Sequence, residues 1–292
     1  MKLLFFARRV NADNYVLIKR IIEQFLRAGF EVSIYEHLLR QLHGHVTITG
    51  VSVLSAGEDL RQRNIDYLIV VGGDGSILDA TVITQDSGVP IVGINLGRLG
   101  FLASIEPAQV DDVIRSLKAH TILVEERSLL KLTSNRPMFH GADFALNDFT
   151  ILKRDTSSMI KIHTYINGNY LTTYWADGII MATPTGSTAY SLSCGGPILF
   201  PTAKSFVLTP VAPHNLNVRP LIIPDSDVVT FQVEGRSSHF LCTLDTRMEM
   251  ITSEYEIAIQ KSDFTVKLAR LDNVSFMRGL REKLAWGTDK RN

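Results

Sequence analysis

The hydrophobic period of this chain changes once, near residue 120, and that change limits the fold more than any other feature. Before it, short apolar runs alternate with helical stripes. Leu3 to Phe6 is such a run; Ile18, Ile21, Ile22, Phe25 and Ala28 then fall on one helical face that Gly29 ends. Phe30, Val32 and Ile34 alternate with Glu31 and Ser33. Asp66 to Val71 is a continuous apolar strand, Ile77 to Thr84 has helical spacing, and Val89 to Ile94 is again apolar. Val110, Val113, Ile114 and Leu117 mark another amphipathic helix. Apolar strands alternating with helices predict a parallel sheet covered on both faces.

After residue 121 the helical period nearly vanishes. Ile160 to Ile166, the turn Asn167-Gly-Asn169 and Tyr170 to Trp175 read as a hairpin, and further strands are expected over 228–233, 240–244, 255–259 and 264–269. Phe276 to Trp286 returns to helical spacing. The expected organisation is an α/β N-terminal domain with a Rossmann-like parallel sheet over 1–120, a mainly β second domain over 121–270, and a C-terminal helix in 271–292 that packs back on the first domain.

Composition removes several function classes. Lys plus Arg and Asp plus Glu both total 30, so the chain lacks the basic excess of proteins that gather nucleic acid. Its two cysteines, Cys194 and Cys242, offer no disulfide framework and no metal-ligand spacing. No His-Glu-x-x-His spacing occurs among the eight histidines, and His43-Gly-His45 reads as a surface loop. The apolar N-terminal run is too short for a signal-peptide core or a membrane span, so a cytoplasmic protein without membrane partners is expected.

Chemistry concentrates in glycine-rich loops at strand ends, where ligands of parallel sheets collect. Gly72-Gly73-Asp74-Gly75 follows a buried strand and precedes a helix. Its amides can cradle phosphate, and Asp74 would stand unshielded there, suited to accept a proton or to meet Mg²⁺ through water. The same residues also suit a tight turn with Asp74 as helix cap. The loop is neither a Walker A nor a GxGxxG fingerprint. Gly93-Ile-Asn95-Leu-Gly97-Arg98-Leu-Gly100-Phe101-Leu102 is a second glycine loop, in which Phe101 faces either a base or the core. Asn147-Asp148 interrupts an apolar strand and needs polar partners, from a ligand or from a turn. Asp177-Gly178 precedes Pro184 to Pro197, a stretch of Thr, Ser and Gly able to donate hydrogen bonds to a polar ligand or to build an ordinary turn.

Taken in order, these loops resemble the NAD kinase family, as do Ala212-Pro-His214 leading to Arg219-Pro220 and the closing segment 276–287. The resemblance implies a kinase acting on NAD. Asp74 matches the catalytic carboxylate that takes the 2′-hydroxyl proton, with Gly75 against the NAD and Gly72, Gly73 and Gly75 forming the phosphate loop. Asn147 and Asp148 match the pair that binds the adenosine end, and Asp177 matches another NAD-contacting acid. Thr188, Ala189, Tyr190, Ser191, Leu192 and Ser193 match the segment holding adenine, Phe101 offers an aromatic face to NAD, and Ala212 matches a position near nicotinamide. The family further implies ATP as donor, Mg²⁺ or another divalent metal, and a homodimer or homotetramer with NAD between the two domains. The chain departs from the family pattern at Trp175, where a basic residue is usual, and at Asp245-Thr-Arg247, where Asp-Gly-Gln is usual.

Two other classes remain in view. A lipid kinase of the diacylglycerol type shares the Gly-Gly-Asp-Gly loop but needs an apolar entrance, whereas the acceptor residues here are Thr, Ser, Asn and Asp. A silent NAD sensor would have no use for the Asp74 carboxylate.

Overall fold

In a computed structural model the protein is described at all residues except Arg98, Leu99, Thr156, Ser157, Asn273 and 287–292. Arg98 of the second glycine loop and Gly287 of the closing segment therefore lie outside the described residues. The chain divides into two compact units, Met1–Glu126 with Val266–Asn292, and Arg127–Thr265.

The first unit is α/β. Its elements are β1 (Lys2–Phe6), α1 (Tyr15–Arg27), β2 (Glu31–Tyr35), α2 (Glu36–Leu42), β3 (Ser52–Leu54), β4 (Tyr67–Val71), α3 (Asp74–Thr84), β5 (Ile91–Ile94) and α4 (Val110–Lys118). Of these, α2 and β3 have no counterpart in the sequence reading. The strands pair in the order β3-β2-β1-β4-β5, all parallel. Parallel strands need crossovers and are covered on both faces, which is why β1, β4 and β5 are almost wholly apolar. The α1 stripe of Ile18, Ile21, Ile22 and Phe25 is fully buried. Each such side chain contributes about 1.5–3 kcal/mol by leaving water. Phe5 and Phe25 meet edge to face at 5.4 Å.

The second unit is nearly all β: β6 (Leu123–Ser134), β7 (Phe144–Ala145), β8 (Asp148–Lys153), β9 (Ile160–Ile166), β10 (Asn169–Ala176), β11 (Gly178–Ala182), a short α5 (Tyr190–Ser193), β12 (Ser205–Val211), β13 (Leu221–Pro224), β14 (Val229–Glu234), β15 (Phe240–Leu244), β16 (Arg247–Ile251) and β17 (Glu256–Arg270). One antiparallel sheet runs β13-β12-β11-β8-β15-β16. A second group runs β10-β9-β14-β17, also antiparallel. Phe149 and Phe231, with centroids 5.4 Å apart, belong to one apolar core built from both groups. The expected hairpin is β9–β10, with Asn167 and Gly168 both at positive φ, as a two-residue turn between right-twisted strands requires.

Two strands cross the boundary between the units. β6 begins in the first and continues in the second. β17 pairs with β14 through residues 256–259 and with β5, in parallel, through Leu268 and Ala269. The last helix among the described residues is α6 (Phe276–Leu284), capped where Ser275 Oγ accepts from the Arg278 amide at 3.2 Å. The fold is thus an α/β N-terminal portion with a parallel sheet, a mainly β portion and a closing helix. No helix among the described residues is long and apolar enough to cross a membrane.

Candidate active site

In the first unit, β4 delivers Gly72, Gly73, Asp74 and Gly75 to the carboxyl edge of the parallel sheet, and α3 starts at Asp74. Gly72 has φ +151°, and a Cβ there would lie 2.4 Å from Ser76 Oγ, so the turn excludes a side chain. The first amides of a helix have no partner within it, and its dipole favours anions at that end. They face an open cleft of about 530 Å³ lined by Gly72, Gly73, Gly75, Ser76, Asn95, Arg8, Arg9, Asn11 and Asn14. Arg8, paired with Asp79 at 3.0 Å, and Arg9 set guanidinium groups beside these backbone donors, an arrangement suited to a polyphosphate.

Asp74 is not the unshielded carboxylate expected from the sequence. One oxygen accepts from the Phe101 amide at 2.7 Å, and the other from Leu102 and Ala103, both at 2.9 Å. The second glycine loop wraps it. Gly100 permits this approach, since a Cβ there would fall 1.8 Å from Asp74 Oδ1. Asn95, nearly fully buried, pins the loop by accepting from Gly97 N at 2.6 Å and donating to Ala103 O at 3.2 Å. The glycines of the two loops therefore serve one end, fixing a carboxylate within a cradle of amides. Phe101 is half-buried, with its ring centroid 6.4 Å from that of Phe276.

In the second unit a separate polar cluster gathers around Asn147 and Asp148. Both are buried, and Asn147 Oδ1 is enclosed without a hydrogen-bond partner. A buried acceptor left empty costs about 1–3 kcal/mol, which a donor on a ligand would recover. Asp148 lies near Asp245, whose carboxylate accepts from the amides of Leu146 (2.8 Å), Asn147 (2.7 Å) and Asp148 (3.2 Å). Burial, and then the charge of Asp245, push the Asp148 carboxyl up to about 8. Burial pushes Asp245 up too, opposed by those amides and by the Arg247 guanidinium at 3.9 Å. The three amides favour the charged form of Asp245, while burial beside that carboxylate favours the protonated form of Asp148.

The Thr183–Cys194 segment is bolted onto the same strand. Thr183 N donates to Asn147 O at 2.9 Å, its hydroxyl donates to Leu146 O at 2.5 Å, and Gly186 is so close that a Cβ would lie 2.0 Å from Asn147 O. Several hydroxyls are consumed internally: Ser187 bonds Pro184 O and Leu199 N, Ser191 bonds Thr209, and Thr188 donates to Thr185 O. Tyr190 and Ser193 are exposed, while Ala189 and Leu192 are half-buried. Burial first, and then its neighbours Cys194, Asp148 and Asp177, push the Tyr190 phenol upward. Asp177 is held by Lys153 Nζ at 2.6 Å. Ala212 adopts φ +44°, a strained setting for a side-chain-bearing residue.

The departures from the family pattern have distinct settings. Arg247 donates to the carbonyls of Ala142 and Phe144 and lies over the Phe144 ring, so it braces the strand that leads into Asn147. Trp175 is half exposed, with Lys161 Nζ 5.0 Å from its ring centroid. Sequence reading missed Arg8, Arg9, Asn11 and Asn14, although they follow β1 at the same sheet edge as the glycine loops. It also missed Lys153, and it marked Asp245 only as part of a departure from the family pattern, without its bonds to the 146–148 backbone.

Known proteins agree with this architecture. The family model of the ATP-NAD kinase N-terminal domain matches residues 4–122, and that of the ATP-NAD kinase C-terminal domain matches residues 146–271. The chain is 40% identical to the NAD kinase of Flavobacterium johnsoniae over 294 residues, covering 100% of both chains. It is 46% identical to the NAD kinase of Cytophaga hutchinsonii over 227 residues, 78% of each chain. A yeast NADH kinase solved with NADH superimposes with TM-score 0.85 at 22% identity, over 99% of this chain and 89% of that one. An NAD kinase from Archaeoglobus fulgidus in complex with ATP gives TM-score 0.73 at 24% identity, over 98% and 99%. Two consecutive domain matches and full-length kinship coincide with a carboxylate cradled at a phosphate-type loop, and the chain belongs to the NAD kinase family.

Proposed function

We propose that this NAD kinase transfers the γ-phosphoryl group of ATP to the 2′-hydroxyl of the adenosine ribose of NAD, with Asp74 accepting the hydroxyl proton. Phosphoryl transfer asks a protein chiefly to position two reactants and to neutralise charge. The donor's phosphates lie against the α3 N-terminus and the Gly72, Gly73 and Gly75 backbone, with Arg8 and Arg9 as counter-charges. Among the described residues no three His, Cys, Asp or Glu side chains cluster as a metal site. Asp74 is the carboxylate at this loop, which suits Mg²⁺ arriving on the nucleotide and keeping most of its water. Bound there, the cation neutralises phosphate charge.

Asn147 and Asp148 hold the adenosine end of NAD. The empty Asn147 acceptor takes a donor from the ligand, and Tyr190 and the exposed part of the Thr188–Ser193 segment flank the base. Asp177, oriented by Lys153, and Ala212 serve the remainder of the dinucleotide. Gly75 and Phe101 border the acceptor beside Asp74. The working enzyme is a cytoplasmic homodimer or homotetramer, checked by light scattering on the eluted protein.

The observation that carries this reading is the Asp74 carboxylate: three amides fix its orientation while the adjoining loop offers a phosphate site. Fixed general bases contribute about 10²–10⁴-fold to rate. Asp74→Asn, assayed for NADP from ATP, Mg²⁺ and NAD, is expected to lose activity in that range while still binding NAD. Turnover equal to the parent would remove the base. Phosphorylation of diacylglycerol in place of NAD would move the chain to the lipid-kinase reading.

A further inference from the structure

The closing helix α6 brings one cation to the Asp74 cradle. Lys283 Nζ sits 3.9 Å from the centroid of the Phe101 ring, and Phe101 supplies the first of the amides that hold Asp74. The same ring packs against Phe276 at 6.4 Å, and its edge lies 3.8 Å from the position of a Cβ on Gly279. One aromatic side chain thus joins the helix to the carboxylate's amide cradle. The helix is itself anchored: Leu280 is buried, Ser275 caps it, and Arg270 fixes the approach by donating to Val274 O at 2.6 Å.

From this arrangement we infer that Lys283 is a positioning residue for the kinase reaction, holding the Phe101 ring and setting the charge beside Asp74. The inference rests on the reading of Asp74 as proton acceptor. A cation over a ring face is attracted to it, more strongly as water is removed. The charged and titratable groups acting on Lys283 are Asp74 from α3 and Glu282 from α6, and both favour its protonation. Burial opposes them more strongly and brings the ammonium down to about 8, so its charge fades just above neutrality. The positioning cation is then present below that pH and absent above it.

The test compares Lys283→Met, Lys283→Arg and Asp74→Asn with the parent, measuring kcat, KM for NAD and for ATP, melting temperature, and kcat from pH 6 to 9.5. In Lys283→Met kcat is expected to fall about tenfold with both KM values within twofold. Lys283→Arg, which keeps a cation over the ring, is expected to restore kcat and to remove the decline near pH 8 expected of the parent. Unchanged kcat in Lys283→Met overturns the inference, and so does an Arg variant as slow as the Met variant. If Lys283→Met melts too early to assay, the parent and Arg profiles decide: the same decline in both, or in neither, overturns it. Asp74→Asn keeps the two failures apart. Full activity in that variant sinks the base itself, whereas an inactive Asp74→Asn beside a normal Lys283→Met sinks only the role of Lys283.

Discussion

Burial, and then the charge of Asp245, push the Asp148 carboxyl up to about 8, and that shift has a measurable cost. A carboxyl in the unfolded chain titrates near 4, so between about 4 and 8 the folded protein binds more protons than the unfolded one. Stability therefore falls as pH rises through that window, by up to about 1.4 kcal/mol per pH unit. Urea unfolding at pH 5, 6.5 and 8 should show the decline, and Asp148→Asn should make it shallower. An unchanged slope would mean that Asp148 is ionised throughout. Gly100 makes a second demand at this scale. Its Cβ would land 1.8 Å from Asp74 Oδ1, so Gly100→Ala should push the carboxylate out of its cradle and lower kcat about 100-fold, while calorimetric NAD binding persists.

At the scale of elements, what the sequence made legible follows from periodicity. Strands β1, β4 and β5 and helices α1 and α4 are visible because buried strands are continuous apolar runs and surface helices carry one apolar stripe. By contrast, β3 is three residues with two of them exposed, and α2 is only seven residues long, so neither holds a period for long enough. The Gly-Gly-Asp-Gly loop was legible as a glycine turn between a buried strand and a helix, but its wrapping by the amides of residues 101–103 was not, since hydrogen bonds across 27 to 29 residues leave no local pattern. The long-range bonds of the β15–β16 turn were hidden for the same reason. Asp245 there supports the backbone of Leu146, Asn147 and Asp148, and Arg247 braces the carbonyls just upstream. Arg247→Gln should lower stability by about 1–3 kcal/mol in urea unfolding, through lost charge-assisted bonds.

For the whole molecule, zero net charge and a sequence pI near 7.1 leave little long-range field, so recognition falls to local clusters such as Arg8–Arg9 and Asn147–Asp148. A ligand that binds only the folded chain stabilises it by mass action, about 2.7 kcal/mol at one hundred times its dissociation constant. NAD should therefore raise the melting temperature, and Asn147→Ala should reduce that rise at equal NAD concentration. An equal rise in both would show that the empty acceptor is not used.

The two boundary crossings, in β6 and β17, make the β-rich unit an insertion within the chain of the α/β unit. During synthesis on the ribosome, every residue of the insertion has emerged while its host still lacks a strand segment and a helix. The α/β unit is thus completed only by residues that follow the insertion, and truncation after residue 265 yields an entire β-rich unit attached to a partner that lacks a strand segment and a helix.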